Sequence, residues 1–170
     1  MNLPNLKLIF GQSLERSQRI CPTIKTSGYQ LLLLDDSTTV LNVMSQILRR
    51  IPGLFLTVEC SPYRALEILE RDSGSFDLVL TDIRMPLMDG IEFAAHVKQL
   101  RPELPILAIT SVPSAVDNKP DFAGVVPKPF SPEELIAGVI EFLEESATTS
   151  HTASKLSLPS LGTPQRTQSL

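Results

Sequence analysis

The chain has only two cysteines, Cys21 and Cys60, in 170 residues. That is too few for a disulfide framework, and neither lies among other metal-ligating residues at ligand spacing. Reduced thiols in a cytoplasmic protein are therefore expected. No apolar run approaches the length of a membrane span. The apolar stretch at 6–10 (LKLIF) is too short for a signal-peptide core, and no small-residue cleavage site follows it. Dense runs of lysine and arginine are absent, and there is no internal repeat. What remains is ordinary for a soluble domain: 42% apolar residues, enough for a real core, and 20% charged residues.

The net charge of -4 conceals an asymmetry. Residues 30–145 hold nine Lys/Arg against eighteen Asp/Glu, a net of -9, whereas residues 1–29 carry +3 and the last 25 carry +2. A body this acidic repels a phosphate backbone, so nucleic acid is not expected to bind the core. A protein partner or a metal is the expected company.

Three regions follow from composition. Residues 1–29 have no sustained period and are broken by Pro4, Gly11, Pro22 and Gly28, which predicts a flexible extension with at most a short helix at 12–20. Residues 30–145 alternate strands with helices. From Ser146 onward, eleven of twenty-five residues are Ser or Thr and none is acidic, which predicts a disordered tail.

Within 30–145 the first strand, QLLLL at 30–34, is continuously apolar, as a strand buried on both faces should be. Asp35 and Asp36 end it, and Ser37 or Thr38 caps a helix with Val40, Met44, Ile47, Leu48 and Ile51 inward. A strand at 55–60 precedes a helix from Ser61-Pro62 to about Arg71, burying Ala65, Leu66 and Leu69. The central strand at 77–81 leads into Asp82. Asp89 and Glu92 have capping-box spacing and open a helix through Leu100, with Phe93, Ala94, Val97 and Leu100 inward. A strand at 106–110, a short strand at 124–126, and a last helix opened by the capping box Ser131-Pro-Glu-Glu134 complete the series. The alternation predicts a parallel sheet with right-handed crossovers.

In such a sheet, ligands bind at the C-terminal ends of the strands. Those ends carry Asp35 and Asp36, then Asp82, then Thr110, then Lys128. Three carboxylates gathered at one edge repel one another unless a cation joins them. Oxygen-only ligands with open positions suit Mg²⁺. A carboxylate, a Mg²⁺, an amine and a hydroxyl make a phosphoryl-transfer site with Asp82 as nucleophile.

Four stretches in order, LLLLDDS at 31–37, LVLTDIRMPLMDG at 78–90, ILAITS at 106–111 and VPKPF at 126–130, carry a family resemblance. The chain resembles the receiver domains of response regulators, the phosphoacceptor modules of two-component signalling. The resemblance covers 30 to about 145. It implies a flavodoxin-like doubly wound five-stranded sheet of order 2-1-3-4-5, an order already illustrated by members of this family. It also implies that Asp82 is phosphorylated and that Asp36 ligates Mg²⁺ directly, with Asp35 assisting. Arg84 would give its backbone carbonyl to the metal. Thr110 would contact the phosphoryl group, Lys128 would pair with it, and the Lys128-Pro129 bond would be cis. The implied phosphate donor is a histidine kinase or phosphotransfer protein.

The chain departs from the family pattern in two places. Val125 stands three residues before the lysine, where Tyr or Phe is usual, and Phe122 is out of register to replace it. The segment 111–123 carries Pro113 and Pro120 and is about one turn short, so a shortened or missing fourth helix is expected. Nothing that reads as a DNA-binding or catalytic module follows Glu145. The expectation is therefore a single-domain response regulator acting through protein contact and catalysing only its own phosphorylation and slow dephosphorylation. The alternative is a pseudo-receiver scaffold without switching. A haloacid-dehalogenase-type phosphatase would need an acid where Arg84 stands. A nucleotide or flavin binder would need a Gly-rich loop where Asp35-Asp36-Ser37-Thr38-Thr39 stands.

Overall fold

The computed structural model describes residues 7–8, 28–72 and 74–153. In chain order the elements are β1 (Lys7–Leu8), β2 (Tyr29–Leu34), α1 (Thr38–Leu48), β3 (Leu54–Glu59), α2 (Pro62–Arg71) and β4 (Leu78–Asp82). They continue with α3 (Gly90–Leu100), β5 (Ile106–Thr110), β6 (Gly124–Pro127) and α4 (Pro132–Ala153). All strand pairs are parallel, and the sheet order is β1-β6-β5-β4-β2-β3. Counted from Tyr29, the strands run 2-1-3-4-5, the expected flavodoxin-like order.

Successive strand residues face opposite sides of the sheet, so a strand covered on both faces must be apolar throughout. β2 shows this directly. Leu32 and Leu34 join one core, with Ala65 and Leu69 of α2 and Phe93, Ala94 and Val97 of α3. Leu31 and Leu33 join the other, with Leu41, Met44 and Leu48 of α1 and Leu135, Val139 and Leu143 of α4. Two helix layers thus sandwich one sheet, and the polar residues at the strand ends are left facing outward along its C-terminal edge.

The local signals act as their chemistry requires. Ser37 Oγ accepts from the Val40 N–H at 3.4 Å at the start of α1. Asp89 Oδ1 accepts from the Ile91 and Glu92 N–H groups at 2.9 and 2.8 Å, opening α3. The capping box of α4 is reciprocal: Ser131 N–H donates to Glu134 Oε2 at 2.6 Å, and Glu134 N–H to Ser131 Oγ at 3.2 Å.

Between β5 and β6 there is no α-helix, only a single 3₁₀ turn, Pro113–Val116. Val116 and Phe122 from this segment are buried beside Val125 and Ala108 and cover the sheet face there. Pro113 and Pro120 keep the segment from extending into a helix.

Some expectations need correction. The sheet has six strands, because β1 pairs with β6 in the register Lys7↔Gly124 and Leu8↔Val125. The N-terminal extension therefore contributes a strand that its short pattern hides. α4 continues past Glu145 to Ala153, since Ser and Thr disfavour but do not forbid helix once it is nucleated. Leu100 is 41% exposed rather than inward, because α3 ends there and the following turn buries Leu104 instead. Leu41, absent from the expected apolar stripe of α1, is buried, while Val40 and Ile47 pack only at the margin. The anticipated helix at 12–20 and the tail beyond Ala153 lie outside the described residues.

Candidate functional site

Asp82 ends β4, a strand buried at every residue, and is itself only 8% exposed. Its two oxygens are held from opposite sides. Oδ2 accepts the Arg84 backbone N–H at 2.7 Å, and Oδ1 accepts from Lys128 Nζ at 2.6 Å. The same ammonium donates to Asp35 Oδ2 at 3.1 Å. Asp35, at the end of β2, is 2% exposed, and its Oδ1 is fixed by the Ser37 N–H at 2.9 Å. The site is therefore two buried carboxylates bridged by one lysine.

Lys128 reaches this position because β6 leads into it and its N–H bonds the Thr110 carbonyl at 2.8 Å. The following Lys128-Pro129 peptide is cis, as the resemblance implied. Burial works to lower the Lys128 pKa, but hydrogen bonds to Asp82 and Asp35 and attraction to both outweigh it, so the net direction is upward.

Thr110 ends β5 and is buried. Its Oγ1 accepts the Val112 N–H at 3.1 Å, which leaves the hydroxyl proton free to be donated. Arg84 does more than offer backbone. Its Nη2 donates to Ser111 Oγ at 3.0 Å, laying the guanidinium between the β4–α3 loop and the end of β5. Gly90 fixes the loop from behind: a Cβ there would stand 2.2 Å from the Asp82 carbonyl oxygen, while its N–H bonds the Ile83 carbonyl at 2.8 Å.

Asp36 stands at the rim of this group, next to Asp35. It is exposed, and among the described residues no three acidic, histidine or cysteine side chains lie together as a metal-holding cluster. The expected convergence of three carboxylates is in fact a pair with a third at the rim. Asp35 is the buried member of the pair, with its Oδ1 accepting the Ser37 N–H, and Asp36 is the exposed one. The donor chemistry nonetheless fits a hard divalent cation. Mg²⁺ keeps several waters and needs only one or two carboxylates. Two buried carboxylates against one ammonium leave residual negative charge. No hydrogen bond among the described residues ends on the Arg84 carbonyl.

Reading the sequence missed three contributors: Ser111, Gly90 and the backbone amide of Ser37. The Asp35-Asp36-Ser37 run has the two-residue spacing at which an aspartate caps a backbone N–H, and Asp89-Gly90 is a turn signal, so both were detectable. Nothing local announces the Arg84–Ser111 bond, which joins residues 27 apart.

Comparison with known proteins agrees with this geometry. The family profile for the response regulator receiver domain matches residues 31–140. The chain is 33% identical over 116 residues to the two-component response regulator ARR14 of Arabidopsis thaliana, an alignment covering 64% of this chain and 29% of that protein. It is 31% identical over 115 residues to the response regulator protein TodT of Pseudomonas putida, covering 64% and 48%. The chain thus spans less than half the length of these relatives. Among solved structures, a response regulator receiver protein from Sinorhizobium medicae superposes with a TM-score of 0.61 at 28% identity, covering 72% of this chain and 99% of that one. The BeF₃-activated DrrB receiver domain superposes at 0.57 with 26% identity, covering 69% and 98%. With the acidic pair, the bridging lysine and the buried threonine all at the strand ends, the chain belongs to the response regulator receiver domain family.

Proposed function

We propose that this receiver domain accepts a phosphoryl group on Asp82 from a phosphohistidine of a histidine kinase or phosphotransfer protein and acts through protein contact. The observation that carries this reading is the Lys128 ammonium held between the Asp82 and Asp35 carboxylates.

The Asp82 carboxylate attacks phosphorus in line as the P–N bond breaks. The electron pair returns to the imidazole, and an acyl phosphate remains on Asp82. The Arg84 N–H orients the carboxylate before attack. Lys128 exchanges Asp82 Oδ1 for a phosphoryl oxygen, and Thr110 donates its hydroxyl proton to another. Asp35, Asp36, Asp82 and the Arg84 carbonyl would hold Mg²⁺, which supplies charge neutralisation for the phosphoryl oxygens. The chemistry is self-modification, with slow hydrolysis returning the free carboxylate. The acidic body, which repels a phosphate backbone, supports a protein partner over nucleic acid.

A second reading, a scaffold without switching, is favoured by one feature. Val125 is fully buried where an aromatic side chain is usual, and a 3₁₀ turn replaces the fourth helix. Beryllofluoride, a phosphoryl mimic, separates the two. With Mg²⁺, the Arg84, Val112 and Lys128 amide resonances of the working receiver shift together, and those of the Pro113–Val116 turn follow. Shifts confined to the first three would favour the scaffold. No saturable shift at all, in folded protein, would sink the phosphoacceptor reading.

A further inference from the structure

We propose that the outer edge of β3 is an interaction surface between two copies of this chain, which pair there antiparallel about a two-fold axis. The inference stands independently of phosphorylation at Asp82.

β3 is the end strand of the sheet and, among the described residues, pairs with β2 alone. Tyr29 N–H donates to the Gly53 carbonyl at 2.8 Å, and Asp35 N–H to the Glu59 carbonyl at 3.4 Å. Backbone groups alternate direction along a strand. Gly53, Phe55, Thr57 and Glu59 therefore turn N–H and C=O towards β2, whereas Leu54, Leu56 and Val58 turn theirs outward. The Leu54 N–H is taken by the Ile51 carbonyl at 3.3 Å. No backbone hydrogen bond among the described residues uses the outward groups of Leu56 and Val58. Such groups are a template for strand addition.

Natural edges are ordinarily protected by lysine, proline, a bulge or a very short strand. Leu54–Glu59 has six residues, neither lysine nor proline, an unbroken register, and its one charge at the end. Phe55 is 54% exposed, and the other residues of β3 are only partly buried.

Three observations select a second copy as the occupant. Residues directly opposite in an antiparallel pair both point outward or both inward, and an axis at Leu56 satisfies this throughout. Leu54 then faces Val58 and Leu56 faces its own counterpart on one side of the sheet. On the other side Phe55 faces Thr57, a favourable aromatic and β-branched pair. The same axis sets the two Glu59 side chains about 20 Å apart, beyond the screening length at physiological salt, so like charges do not oppose the pairing. Finally, β1 covers the outer edge of β6. Each copy thus has one open edge among the described residues, and pairing through it closes at two copies instead of growing into a fibre. The two Asp82 sites would lie at opposite ends of the paired strands. A pairing this short is small for a specific interface, so the dimer should be reversible.

Sedimentation velocity on the full chain, from low to high micromolar concentration, tests the assignment. A monomer–dimer equilibrium without larger species is expected. Leu56→Pro removes an outward donor and leaves the bonds to β2 in place. It should weaken association about tenfold or more, since the two-fold axis loses two hydrogen bonds at once. Phe55→Lys, a protective edge residue at an exposed position, should weaken it as well. In the parent, amide hydrogen exchange at Leu56 and Val58 should slow as concentration rises, while Leu80 and Ile109 report that the fold is retained in every variant. A single monomeric species at all concentrations would overturn the proposal. So would association that survives both substitutions, which would place it on another surface. Protection of Leu56 and Val58 in a monomer would also overturn it, since another segment of the same chain would then cover the edge.

Discussion

Lys128 Nζ stands 2.6 Å from Asp82 Oδ1 and 3.1 Å from Asp35 Oδ2, joining residues 46 and 93 positions away in the chain. One ammonium thus ties the ends of β2, β4 and β6 together at the point where the phosphoryl group would arrive. Its replacement by methionine should leave two buried carboxylates without their cation. Loss of one partner from a buried pair is costly, so the midpoint of urea unfolding should fall by an amount worth about 2 kcal/mol or more at neutral pH. An unchanged midpoint would mean that solvent already screens the pair.

The same contact predicts an alkaline signature. The folded-state pKa of Lys128 lies above the usual lysine value, so the native state retains this proton longer than the unfolded chain does. The resulting stabilisation is complete below the usual lysine value and is lost as pH rises through the higher, folded value. Melting temperatures of parent and Lys128→Met, measured as pH rises above the usual lysine value, should converge. A constant difference would contradict the assignment.

Gly90 is required for space. Gly90→Ala would place a Cβ 2.2 Å from the Asp82 carbonyl oxygen, which is backbone and cannot rotate away. Overpacking of this kind costs about 1–3 kcal/mol, and here it should also move Asp82. The expected result is lower stability together with slower phosphoryl acceptance. Lost stability with an unaltered rate would show that the loop absorbs the strain.

Arg84 and Ser111 form a latch across the mouth of the site. If the latch limits the approach of water, Arg84→Ala and Ser111→Ala should each shorten the lifetime of the phosphorylated protein severalfold, and the double variant no more than either. Additive effects in the double variant would separate the two residues.

The strand and helix order was readable in the sequence because continuous apolar strands, capping residues and helical stripes each speak locally. The places of Asp82, Thr110 and Lys128 were readable as well, since the first two end strands whose limits are sharp and Lys128 directly follows one. Three features were not, each for its own reason. Asp36 and Asp35 are chemically identical, and in the fold it is Asp35 that accepts the Ser37 N–H and is buried. β1 comprises two residues, too few for any period, and owes its strand to an edge supplied by residues over a hundred positions later. Leu100 fits the apolar stripe of α3 but lies at its end, where Leu104 fills the space.

The most direct test is the intact mass of the protein after incubation with a small phosphodonor, with and without Mg²⁺, beside Asp82→Asn. A gain of one phosphoryl group in the parent alone, dependent on Mg²⁺, is the predicted result. No gain in the folded parent, or an equal gain in Asp82→Asn, would contradict the assignment of Asp82 as the acceptor.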